Sequence, residues 1–65
     1  MLGTSIRVGM AKKHINSSEL AEQVGVSRVT VSHWINNKAT PDHKTVKKLC
    51  EFFGVPVSKF MEWGE

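Results

Sequence analysis

The sequence predicts an all-α fold, a compact domain of five short helices whose second and third members cross at a steep angle. Three observations predict it. Apolar residues recur at helical spacing, as in Val31, Trp34 and Ile35 or Val46, Leu49, Cys50 and Phe53, so each segment has one face to bury. No stretch alternates polar and apolar residues for long enough to make a strand. The segments are also bounded by helix punctuation, with Asn16, Ser27 and Asp42 placed to start them and Gly25 and Gly54 to end them.

The first helix spans about Thr4 to Lys13, with Ile6 and Met10 on one face and Arg7 and the Lys12-Lys13-His14 group toward solvent or the C-terminal end. Gly9 weakens it by about 1 kcal/mol relative to alanine, so packing has to hold it. The second helix starts at Asn16, a cap to which Glu19 can reach back, and carries the stripe Leu20, Ala21 and Val24. Gly25 supplies the positive φ of a sharp turn, and Val26 plugs the corner beneath it. Ser27 caps the third helix, which buries Val31, Trp34 and Ile35 and leaves Arg28, Val29, Ser32 and His33 outside. Asn36 to Pro41 is loop chemistry. Asp42 caps a fourth helix from His43 to Phe53, closed by Gly54. Pro56 opens a last helix, about Val57 to Trp63, that brings Phe60 and Met61 to the core.

With 65 residues, the chain reads as a single domain, 1–65, and a core of this size leaves only about 3 to 5 kcal/mol of net stability. Pairing with a second copy is a natural supplement. A net charge of +3 and a sequence pI near 9.4 favour a polyanionic partner. No apolar run approaches the roughly 20 residues that span a bilayer, and the first residues lack the order of a secretory signal, so a cytoplasmic location and no membrane contact are expected. The single Cys50 fits a reducing compartment and a small apolar role in the core. Cys50, His14, His33 and His43 form no set with catalytic or metal-ligand spacing. The chain is therefore expected not to be an enzyme and to need no metal or cofactor. A pocket for a small-molecule ligand would consume core that the chain cannot spare.

Leu20-Ala21, Val24-Gly25-Val26, Val31 and Trp34 meet the narrow conditions under which two short helices can cross steeply. One residue is small at the contact, a glycine turns the chain, and bulky groups fill the wedge. This pattern resembles the helix-turn-helix of the phage repressor and Cro family, the XRE family, and the likeness runs from Ile15 through Gly54-Val55 to Phe60-Met61. The resemblance implies a sequence-specific DNA-binding transcriptional regulator. Its third helix, about Ser27 to Asn36, would enter the major groove of double-stranded DNA, with a homodimer on a near-palindromic operator.

On that pattern the base readers are Ser27, Arg28, Val29, Ser32 and His33. Arg28 can bond guanine O6 and N7 with two N–H groups, Val29 can pack on a thymine methyl, and Ser32 or His33 can donate or accept. The phosphate-binding positions are Asn16, Ser17, Thr30, Asn36, Asn37, Lys38 and Thr40. Ser17 departs from the glutamine of most relatives, and its shorter side chain reaches phosphate through the helix N-terminus or water. Lys44, Lys47 and Lys48 read as the solvated face of the fourth helix. Dimer contacts fall on His43, Val55, Pro56, Val57 and Lys59. Where many relatives pair Arg with Glu in the core this chain has Met10 and Ile35, an apolar replacement expected to bring Met10 against Ile35 or Trp34. The alternative reading is an antitoxin or adaptor whose main partner is a protein. RNA binding ranks behind duplex DNA, because single-strand readers usually offer aromatic stacking surfaces and the chain has no Tyr.

Overall fold

Helix starts follow from side chains that take up otherwise unpaired N–H groups. Asn16 Oδ1 accepts from Glu19 N at 2.9 Å while Glu19 Oε1 accepts from Asn16 N at 3.1 Å, a complete capping box. Ser27 Oγ accepts from Thr30 N at 3.1 Å, and Asp42 Oδ1 from Thr45 N at 2.8 Å. The elements so bounded in this computed structural model, which describes residues 2–65, are α1 (Leu2–Lys13), α2 (Ser17–Val24), α3 (Arg28–Ile35), α4 (His43–Phe53) and α5 (Val57–Glu62). No strand occurs among the described residues. Helix α1 starts two residues before the expected Thr4, since Leu2 and Gly3 also pack inward.

The Asp42 cap carries a pH signature. The Thr45 hydroxyl and then the Thr45 N–H bond its carboxylate, holding it below the ordinary 3.8. A depressed folded-state value means that the cap's contribution is present above the unfolded value and is lost as pH falls through the folded one. Denaturant midpoints of wild type and Asp42→Asn, compared at about pH 6 and about pH 2.5, should therefore converge or cross in acid, because Asn cannot be protonated there. A gap that is unchanged by acid would assign the cap no electrostatic part.

The first four helices end alike. His14, Gly25, Asn37 and Gly54 take left-handed φ values of 56°, 73°, 58° and 71°. The next residue then bonds back five positions: Ile15 N to Met10 O, Val26 N to Ala21 O, Lys38 N to His33 O and Val55 N to Cys50 O. These are Schellman turns, which normally tuck an apolar residue under the helix end. Ile15, Val26 and Val55 do so, packing on the core. At the end of α3 the same position is the exposed Lys38.

The core joins all five helices through Ile6, Leu20, Val24, Val31, Trp34, Val46, Leu49, Phe53 and Phe60, with Cys50 among them as a thiol pushed up in pKa by its burial. Helix α1 lies close to its neighbours because Gly3 and Gly9 have no side chain. A Cβ on Gly3 would stand 2.5 Å from the Trp34 carbonyl oxygen, and one on Gly9 would stand 2.7 to 2.9 Å from the Phe53 ring. Gly9 is thus a packing requirement and not merely a helix weakness. Gly9→Ala should gain about 1 kcal/mol of helix propensity but cost about 1 to 3 kcal/mol of overpacking, because Phe53 is wedged among Phe52, Phe60 and Trp63. A lowered urea midpoint is the expected result; a raised one would mean that the ring can yield.

Two sequence expectations are refined. Phe60 is buried, but Met61 is 47% exposed and does not return to the core. The six-residue α5 can aim only one residue inward, and Met61 lies 100° further round. Met10 and Ile35 are both half-buried against the core, while the close backbone meeting of α1 with the end of α3 is at Gly3, seven residues before Met10.

Candidate nucleic-acid interface

Helix α3 divides sharply by side. Val31 and Trp34 are buried, whereas Arg28, Val29, Ser32 and His33 are exposed. Its buried side is clamped between α2 and α1, which places the outer ridge rigidly with respect to the domain. Val29 is 61% exposed, the most exposed large apolar residue among those described. A β-branched side chain gains nothing from water there and lowers helix propensity.

Arg28 is a sharper anomaly. It occupies the first turn of α3, which has no acidic residue, so its charge adds to the positive end of the helix dipole instead of opposing it. Among the described residues neither Arg28 nor His33 has a hydrogen-bond or ion-pair partner for its side chain. Local choices that disfavour the helix tend to collect at functional positions.

Arg28 shares a shallow polar concavity of about 330 Å³ with Asn16, Ser17 and Ser18 at the start of α2. First-turn N–H groups of a helix have no acceptor within it. The starts of α2 and α3 therefore converge with a guanidinium on one spot, which suits an anion. The Asn16 N–H and Oδ1 are taken up by the capping box, leaving Asn16 Nδ2 and the Ser17 and Ser18 amides and hydroxyls as the available donors. Ser18, absent from the sequence expectation, could have been found there from its place in the first turn.

Other hydroxyls on α3 already have work. Ser27 Oγ and Thr30 Oγ1 are 2.9 Å apart. Because Ser27 Oγ also accepts from Thr30 N, a proton placed by Ser27 on Thr30 Oγ1 leaves the Thr30 hydroxyl able to donate outward. Asn36 Nδ2 donates to Ser32 O at 2.9 Å and to Ser32 Oγ at 3.3 Å. Ser32 retains its own proton for a donor role, and Asn36 retains its carbonyl oxygen. Asn37 forms the left-handed turn against Gly3. Lys38 and Thr40 project from the loop beyond it, both exposed.

The dimer positions expected from sequence differ in exposure. His43, Pro56, Val57 and Lys59 are exposed, but Val55 is half-buried as part of the α4 end. Helix α5 does offer a neighbouring pair, Val57 and Met61, 40% and 47% exposed and one turn apart. No group of three or more His, Cys, Asp or Glu able to hold a metal occurs among the described residues, and no helix there is long and apolar enough to cross a membrane.

Comparison with known proteins agrees with this geometry. Residues 6–60 match the family model HTH_3, described as helix-turn-helix. The chain is 29% identical over 65 residues to the cryptic phage CTXphi transcriptional repressor RstR of Vibrio cholerae, covering all of this chain and 59% of that protein. It is 32% identical over 53 residues to the HTH-type transcriptional activator BcrR of Enterococcus faecalis, covering 82% of this chain and 26% of that one. The chain thus spans between about a quarter and three-fifths of the length of these curated relatives. Among solved structures, the DNA-binding domain of the P22 c2 repressor superposes with a TM-score of 0.85 at 24% identity, over 94% of this chain and 80% of that one. The clp gene regulator ClgR of C. glutamicum gives the same TM-score and identity over 95% and 80%. At that identity the likeness speaks for the fold.

Proposed function

The chain belongs to the helix-turn-helix family HTH_3, and we propose on that footing that it is a sequence-specific DNA-binding transcriptional regulator acting in the cytoplasm. The observation that carries this reading is the outer ridge of α3, where Arg28, Val29 and His33 are exposed and make no internal bond that would account for them. In the proposed complex α3 lies in the major groove. Arg28 reads a guanine, Val29 packs on a thymine methyl, and Ser27, Ser32 and His33 complete the base contacts. Phosphates are held at the starts of α2 and α3 by Ser17 and Ser18 amides, with Asn16 and Thr30 beside them, and beyond α3 by Asn36, Asn37, Lys38 and Thr40. Relatives include both a repressor and an activator, so the proposal concerns the DNA-binding step.

Two copies bind together in this reading, through the α5 side that carries Pro56, Val57 and Met61, with His43 assigned to the same contact; Val55 and Lys59 face the other flank of α5 and are left out of it. The support is the exposed apolar pair on α5 and the small core, which a second copy would supplement. The operator then has two half-sites about 34 Å apart.

Selection of bound sites from random duplexes, followed by footprinting, tests the whole reading. A near-palindromic consensus is expected; no enriched sequence at moderate salt would refute it, and an enriched site without two-fold symmetry would refute the dimer alone. Lys38→Ala should weaken binding to every duplex alike and reduce the slope of log K against log salt by about 1, since Lys38 contacts phosphate and not bases. A change in base preference would move Lys38 to the other class.

A further inference from the structure

At 100° per residue, Lys59 and Trp63 lie together on the flank of α5 opposite Val57 and Met61. There they meet the end of α1 and the last turn of α4 in a half-open concavity of about 450 Å³. Phe53, Val55 and Trp63 form its floor, Lys12, Lys13 and Lys59 stand around it, and no carboxylate lines it. None of its residues belongs to α2 or α3. The proposed DNA-binding function makes no use of it.

The lysines are partly ordered in advance. Lys12 Nζ lies 5.6 Å from the centroid of the Trp63 ring and Lys13 Nζ 5.2 Å from that of Phe52, both within cation–π range. Rings beneath them hold the ammonium groups near the concavity, which lowers the entropy lost when an anion is bound. An apolar floor with a cationic edge selects its occupant by chemistry. Duplex nucleic acid, whose bases are stacked on one another, would use the lysines and leave Phe53 and Trp63 without a role. A second copy related by two-fold symmetry would bring the same three cations face to face. A lone aliphatic surface would leave the lysines without counter-charge. Only a segment that combines carboxylates with an apolar side chain satisfies both parts.

We propose that this concavity docks an acidic peptide segment of a partner protein, one apolar side chain resting on Phe53, Val55 and Trp63 while flanking Asp or Glu carboxylates pair with Lys12, Lys13 and Lys59. Because α2 and α3 are not involved, the partner binds whether or not the chain is on DNA. The domain so carries a second recognition surface, addressed to protein.

The test is an NMR titration of the full chain, free and bound to its selected duplex, with a synthetic peptide of a central phenylalanine flanked on each side by three glutamates. Saturable amide shifts centred on residues 12–13, 53–55 and 59–63 are expected in both states. A peptide with serine in place of the phenylalanine should bind about tenfold more weakly. Lys12→Glu with Lys59→Glu should weaken the phenylalanine peptide by at least about tenfold, and Lys44→Glu with Lys48→Glu, the same charge change on α4, by less than about threefold. Equal losses in the two pairs, equal binding of the serine peptide, shifts centred on α3, or no saturable shift at millimolar peptide would each overturn the proposal. The serine comparison uses the unaltered chain, so it decides even if a variant fails to fold. The free-chain titration needs no DNA and is independent of the function proposed above.

Discussion

Phe60→Ala is expected to leave the chain unfolded at room temperature. Phe60 is fully buried and is the one buried residue among those described in α5. Its ring centroid lies 6.1 Å from both Phe53 and Trp63, so it holds together the aromatic group that joins α5 to α4. Truncating a buried Phe typically costs about 3 to 5 kcal/mol, and a domain of this size has about that much in total. Helix α5 is also too short to persist once undocked, because isolated helices below about 12 residues are marginal in water. Far-ultraviolet circular dichroism and a thermal scan check this. A cooperative transition within a few degrees of wild type would show that α5 is dispensable and that the core closes without it.

Arg28→Ala should have the opposite profile, a sound fold with a damaged reader. The side chain is exposed and has no partner to lose, and removing a cation from the start of a helix relieves an unfavourable charge–dipole contact. Stability should therefore hold or rise by a few tenths of a kcal/mol. A bidentate contact to guanine gives about 1 to 3 kcal/mol of discrimination, so preference at one base position per half-site should fall by roughly 5- to 150-fold. Arg28→Lys keeps the charge but loses the planar fork, and should recover general affinity without recovering that preference. Anisotropy titrations on the selected duplex and on duplexes altered at single positions separate the cases. Uniform weakening on all of them would make Arg28 a phosphate ligand.

Most of the fold was legible because the helix boundaries are written in local chemistry. Asn16 with Glu19, Ser27, and Asp42 followed by Thr45 each state a helix start within four residues, and Gly25 and Gly54 state two of the ends. The ends at His14 and Asn37 were not legible as left-handed turns, because His and Asn enter that conformation more often than most residues but far less often than glycine, and so do not announce it. Gly9 was legible only in part. Its propensity cost is local and visible, whereas the Phe53 ring that needs its missing side chain is 44 positions away. The sides of α3 followed from a three-and-four spacing, so the exposed ridge could be named in advance. The convergence of Ser17 and Ser18 on Arg28 required the angle between α2 and α3. The concavity beside α5 draws on α1, α4 and α5 together, and no single segment announces it.

The division of α3 into a buried side and an exposed side also bears on how such proteins diversify. Val31 and Trp34 secure the helix, while Arg28, Val29, Ser32 and His33 contribute almost nothing to holding it. Mutation can therefore rewrite the address that a descendant seeks on a genome without first having to rebuild the scaffold, and lineages can drift to new targets through intermediates that all remain folded.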